Sequence, residues 1–205
     1  MSDRKEELDR RVKRTRRVIR DALVALIREK GFESITVQEI AARADVNRST
    51  FYFHYRDKLD LLEQSTEEML EAFKEALQVP SEQAKACTFT GIASATRHFV
   101  HIAEHADFYR VMLREVGLPC FSKQMKRAIE ETFYQKFDTA QTDEREAQAP
   151  REILVAYVAS AHFGLIEWWL DHDLRYSASY MVEVLNRLVK FGPLHAPSLD
   201  EALRA

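Results

Sequence analysis

Two cysteines, five glycines and five prolines are all that 205 residues hold of the three residue types that staple or turn a chain. Cys87 and Cys120 stand far apart and outside any CxxC spacing, which argues against a disulfide framework and a thiolate zinc site. Both are expected as buried thiols. Glycine and proline this scarce argue against a sheet-rich fold with many tight turns, so an all-α chain is expected. The opening MSDRKEELDRR lacks the apolar core of a signal peptide, and no later stretch offers about 18 uninterrupted apolar residues for a membrane span. A cytoplasmic protein with no membrane partner is therefore expected. The sequence carries no nucleophile triad, Gly-rich phosphate loop or paired-carboxylate arrangement. Neither catalysis nor a bound cofactor is expected.

What is present is unevenly placed. The net charge of −3 combines residues 1–60, with 15 Lys+Arg against 11 Asp+Glu (+4), and the remainder, with 15 against 22 (−7). Most of the basic excess lies in Arg4, Lys5, Arg10, Arg11, Lys13, Arg14, Arg16, Arg17 and Arg20, an arm leading into the first apolar-periodic segment. A polyanion would be drawn to this end and repelled elsewhere.

From Val12 onward, Ile19, Ala22, Leu23, Leu26 and Ile27 recur at three and four residues, the pattern of an amphipathic helix that Gly31 stops. Thr36 followed by Glu39 fits a capping box for a short helix ending near Ala44. Asp45 and Val46 make a turn, and Asn47 caps a third helix to about Tyr55. Asp57 opens a long fourth helix through Leu59, Leu62, Met69, Phe73 and Leu77. Further helical segments are read at 83–105, 107–115, 119–138, 151–172 and 177–191, with TAQTDEREAQAP (139–150) as a polar loop and the last twelve residues as a tail. The organisation expected is a head at 1–56 and a larger helical domain at 57–205.

Two short helices joined by a tight turn form a helix-turn-helix unit. Five consecutive rings, Phe51 to Tyr55, sit on the second of them. Phe51 and Tyr55 are four apart and share a face with Val46, which assigns them to a small core. Arg48, Ser49, Tyr52 and Phe53 occupy another face, free to enter a major groove. Thr50 and His54 flank that face, and Lys58 stands on the first turn of the fourth helix, all three in reach of phosphates. Arg48 suits a bidentate contact to guanine and Phe53 an apolar contact with a thymine methyl.

Residues 14–62, above all TVQEIAARADVNRSTFYFHYRDKLDLL, resemble the DNA-binding domain of the TetR family of bacterial transcriptional regulators. The resemblance implies DNA-backbone roles for Thr36, Thr50, Tyr52, His54 and Lys58, with Arg48, Ser49 and Phe53 tuning sequence; Arg14 of the basic arm is a further candidate DNA contact. One departure is Asp45, where the family usually has glycine; Asp tolerates the left-handed conformation better than most residues. The resemblance further implies a homodimer on a double-stranded DNA operator and a small-molecule effector in the helical domain. The head is then followed by a ligand-binding and dimerisation domain, with the long fourth helix as the lever between them.

Within that domain, Ala156, Ser160 and Gly164 form a small-residue stripe bordered by Tyr157, Ala161, Leu165 and Trp168, while Met181, Leu185 and Leu188 line the last helix. These form the expected dimer interface. Phe121, Met125, Ile129, Phe133 and Phe137 repeat every four residues; with Phe99, His101, Phe108 and Phe163 they supply candidate walls for a small apolar effector. His98, His101 and His105 lie on one helix, and HIAEH at 101–105 formally matches a zinc-protease motif; a catalytic site also needs a third ligand and a supporting cleft and a five-residue match is cheap, so ordinary half-buried histidines and no metal are expected there. A ligand-responsive repressor is the leading expectation. Activation, or regulation through a protein partner instead of an operator, is the alternative.

Overall fold

A computed structural model describes residues 2–78, 92–115, 119–139 and 149–192. Residues 79–91, with Cys87 and Phe89, most of the 139–150 loop, the C-terminal tail and the Phe137 side chain lie outside the described residues. Among those described there is no strand. The order is α1 (Ser2–Lys30), a 3₁₀ turn (Phe32–Ser34), α2 (Val37–Arg43), α3 (Arg48–His54) and α4 (Lys58–Leu77). Then come α5 (Ile92–Glu104), α6 (Ala106–Arg110), a π-helical turn (Val111–Glu115), α7 (Pro119–Thr139), α8 (Arg151–Asp171) and α9 (Ala178–Phe191). The all-α expectation holds.

Two details differ from the sequence reading. The first helix begins at Ser2, ten residues before Val12. The intervening Glu, Lys, Arg and Leu are strong helix formers with no Gly or Pro among them, so the helix continues beyond its apolar repeat. Cys120 is exposed, not buried, because its neighbour Phe121 takes the inward position at the start of α7.

The chain divides into two compact units. The first comprises Met1–Leu70 and Asp107–Phe121; the second comprises Glu71–Ala106 and Ser122–Ala205. In the first, α1 packs on α2 and α2 on α3, burying Ile19, Leu23, Ile27, Ile40, Ala41, Phe51 and Tyr55. The α6 segment joins this unit through Arg28, whose guanidinium lies 2.9 Å from the Asp107 carboxylate, and through the π-helical turn, which packs on α1. Tyr109 is fully buried and its hydroxyl donates to the Met69 carbonyl at 3.4 Å.

Asp57 caps α4, its carboxylate accepting the backbone N–H groups of Leu59 and Asp60 at 2.9 and 2.8 Å. Asp60 in turn accepts the backbone N–H of Arg56, the Gln64 amide and the Arg56 guanidinium. These bonds, the Arg56 N–H foremost, hold its carboxyl at about 2, below the ordinary 3.8. A carboxylate whose pKa falls on folding stabilises fully above its unfolded value and loses that contribution as pH drops through the folded value. Asp60→Asn is therefore expected to flatten the loss of head stability between pH 3.8 and about 2, as read by thermal unfolding across that range.

In the second unit α5 packs on α9, and the core holds Phe73, Phe99, Ile102, Met125, Ile129, Val155, Ile166, Trp169 and Met181. Helix α8 is apolar nearly all round, long and apolar enough by composition alone to cross a membrane. Its inward face (Val155, Ala159, His162, Ile166, Trp169) explains half of that character. The helix ends in a Schellman arrangement: Asp173 and Leu174 adopt positive φ, and the Leu174 N–H donates to the Trp169 carbonyl at 3.1 Å. Ser177 then caps α9 by accepting the Tyr180 N–H.

Candidate nucleic-acid interface and regulatory domain

The head presents α3 through three local devices. Thr36 caps α2 in a complete capping box, accepting the Glu39 N–H while the Glu39 carboxylate accepts the Thr36 N–H at 2.9 Å. Asp45 turns the chain with φ 53°, the left-handed conformation its position demands. Phe51, fully buried, and Tyr55 then fix α3 to the core, their rings 5.8 Å apart. Burial pushes the Tyr55 hydroxyl up to about 12.

With those rings committed, α3 carries Arg48, Ser49, Tyr52 and Phe53 exposed on another face. Tyr52 is 50% exposed and Phe53 79% exposed, far more than rings of a small bundle need to be. The Arg48 guanidinium lies 5.9 Å from the Tyr52 ring centre, a cation–π contact that stiffens both side chains at the exposed surface. Phe53 meets His54 edge-on at 5.1 Å. Burial first, and then the charge of Arg16, lowers the pKa of His54.

The remaining positions expected at DNA differ in their freedom. Arg14 is exposed on α1, and Thr50 and His54 are half-buried at the edges of α3. Thr36 is exposed but engaged in its cap. Lys58 is the most constrained: its ammonium donates to the carbonyls of Phe32 and Glu33, both at 3.0 Å, and sits 4.8 Å from the Phe32 ring. Two of its three N–H groups thus tie α4 to the 3₁₀ turn.

The candidate effector residues fall into two groups. Phe108 belongs to the first unit, buried against Tyr109 and Phe121. Phe99, His101, Met125, Phe133 and Phe163 belong to the second; Phe99 and Met125 are fully buried there, the other three half-buried. Sequence reasoning did not single out His162. Its Nε2 lies 2.8 Å from Nε2 of His98, both residues buried, so the facing nitrogens share one hydrogen. Phe73, Phe99 and Phe133 surround the pair. A lone histidine on an apolar helix gives no sequence signal of such a partner. His101 and His105 of HIAEH have their rings 4.9 Å apart, and among the described residues no group of three or more His, Cys, Asp or Glu is placed to hold a metal ion.

The outer face of α8 explains the other half of its apolar character. Tyr157, Ala161, Gly164, Leu165 and Trp168 form one wall of a groove of about 420 Å³ whose other wall is Leu185, Leu188 and Val189 of α9. Tyr157 and Trp168 stand 61% and 40% exposed along it, and Ala156, Ser160 and Gly164 are exposed as well. Met181, 1% exposed, faces the interior of its own chain instead of the groove.

Comparison with known proteins agrees with this geometry. The profile of bacterial regulatory proteins of the tetR family matches residues 19–65, and a transcriptional regulator C-terminal region profile of the same group matches residues 93–191. The chain is similar to the uncharacterised HTH-type transcriptional regulator YxbF of Bacillus subtilis, 27% identical over 158 residues. That match covers 76% of this chain and 39% of the relative, so the chain spans well under half of that protein. It is 25% identical to the HTH-type transcriptional activator FasR of Mycolicibacterium smegmatis, over 82% of this chain and 78% of FasR. Among solved structures, FadR of Bacillus subtilis in complex with stearoyl-CoA superposes with a TM-score of 0.61 at 18% identity, covering 85% of this chain and 97% of that one. Head and helical domain both match, and the chain belongs to the TetR family of bacterial transcriptional regulators.

Proposed function

We propose that this regulator is a cytoplasmic homodimeric repressor whose two α3 helices enter successive major grooves of a near-palindromic operator, and that a small, largely apolar effector releases it. The observation that carries the DNA half is the outward face of α3, with Arg48 stacked on Tyr52 and Phe53 four-fifths exposed. The apolar groove between α8 and α9 supports dimerisation through that surface, because a contiguous exposed apolar face is what an isologous interface buries. The fold likeness to a stearoyl-CoA complex supports an effector with a long acyl chain. The aromatic interior around Phe99 and Phe133 suits one chemically. Effector and DNA must prefer different conformations for release to follow; affinity for both states alone would shift nothing. FasR is named an activator, which supports activation as the second reading of the same site.

The Phe53 assignment has a direct test. Replacing the thymines of a half-site by uracil removes only their methyl groups. Removing one such methyl from the interface is expected to weaken the wild-type protein about fourfold, or about 0.8 kcal/mol. Phe53→Ala should bind the two duplexes equally. An equal uracil effect in both proteins would remove Phe53 from the interface.

A further inference from the structure

Among the described residues of the second unit, the buried polar side chains are His98 and His162. They join α5 to α8 through Nε2 atoms 2.8 Å apart. Such a contact needs one nitrogen protonated and the other not, so the pair offers an N–H donor and a lone pair side by side. The rings that face it are Phe73 of α4, 6.2 Å from His98, Phe99 of α5 at 4.7 Å, and Phe133 of α7, 6.3 Å from His162. The charged residues nearest in sequence have other partners. Lys74 pairs with Glu71 on α4, Arg97 of α5 reaches the Gln78 carbonyl, and Arg127 pairs with Glu131 on α7. His101 of α5 lies against His105, and α8 has no charged residue between Glu152 and Glu167. On α9, which packs on α5, Glu183 and Arg187 are exposed. Burying two imidazoles costs more than burying aliphatic side chains, and their mutual hydrogen bond only offsets that cost.

We infer that the His98–His162 pair is the polar anchor of the effector and reads the oxygens of its acyl group, with a carboxylic acid as the full complement. This deepens the acyl-effector reading and rests on it. A carboxylic acid entering between the rings matches both halves of the pair: its carbonyl accepts the Nε2–H and its hydroxyl donates to the other Nε2. An ester or thioester accepts from the N–H and leaves the lone pair unmatched. A fatty acid dissolved as carboxylate therefore takes up a proton as it binds, because an ionised head without a countercharge is costly in an aromatic core. Whether that proton rests on the carboxyl or on an imidazole, the count is the same. Of the three facing rings Phe133 alone is half-buried, so the cage is thinnest on the α7 side, where a slender chain can reach His162.

The test is titration calorimetry of the full chain with oleic acid, its methyl ester and its CoA thioester. Two buffers of different ionisation heat are used at about pH 8, where free imidazole is neutral and the acid ionised. Wild type is expected to take up about one proton per oleic acid bound and none per ester or thioester. His98→Phe/His162→Phe removes both partners and leaves no orphaned nitrogen, so thermal unfolding should report a folded chain. That variant should bind the acid about 10–100-fold more weakly and the two esters about 2–10-fold more weakly. Whichever of acid and thioester depends on the pair is the source of the acyl group. Acid binding by the wild type without proton uptake, a measurement that needs no variant, would overturn the inference. So would a folded double variant with undiminished affinity. If none of the three compounds binds the wild type, the acyl-effector reading itself falls.

Discussion

Replacing Gly164 by arginine is expected to leave a folded chain that no longer dimerises. A side chain built on Gly164 meets nothing within 4 Å in the monomer, and the residue is exposed on α8, so the fold has no reason to object. In a dimer formed across the α8–α9 groove the same position faces the partner helix. A guanidinium there puts bulk and an unpaired charge into an apolar seam, at a cost of several kcal/mol. Sedimentation should show a monomer with near wild-type thermal stability. Operator affinity should fall by about 10²–10⁴-fold, because two half-sites are no longer held by one tethered pair of heads. A Gly164→Arg protein that remains dimeric would move the interface off this groove.

The second large effect is expected inside the head. Phe51 is fully buried on α3, the helix that packs on α2, with its ring against those of Tyr52 and Tyr55. Truncating such a ring costs about 3–5 kcal/mol through forfeited burial and the cavity left behind. The head has only a small core to absorb that loss. Phe51→Ala should therefore lose sequence-specific binding altogether and show an early, separate unfolding step, with the second unit still folded. Phe53→Ala, two residues on and exposed, should unfold with the wild type while altering only base preference. Calorimetry of the two variants side by side tests the division of rings between core and groove.

The split between buried and exposed rings was legible in the sequence because each element of the head announces itself twice. α2 has both a capping box and an apolar repeat, and α3 has both an N-terminal Asn and rings at four-residue spacing that leave one face polar. Other features had no such signal. The helix through residues 2–11 has no apolar period, only a majority of residues of high helix propensity, so it read as an arm. The grouping of 107–121 with the head depends on long-range packing, such as Tyr109 against Met69, that no local pattern encodes. The tie of Lys58 to the 3₁₀ turn was hidden because its acceptors are backbone carbonyls 25 and 26 residues away, invisible in a string of side chains. The His98–His162 pair was hidden for the same reason: 64 positions separate two residues that meet only in the folded core.

The most direct measurement is selection from a pool of random duplex DNA at about 0.1 M salt, where non-specific phosphate binding is held down. The purified protein is expected to recover an inverted repeat with half-sites about one helical turn, or a multiple of it, apart. Arg48→Ala should fail to recover it, and a long-chain acyl-CoA added to the wild type should release it. Recovery of only sequence-blind, salt-sensitive binding, with and without acyl-CoA, would contradict an operator-reading dimer and turn attention to a protein partner for the head.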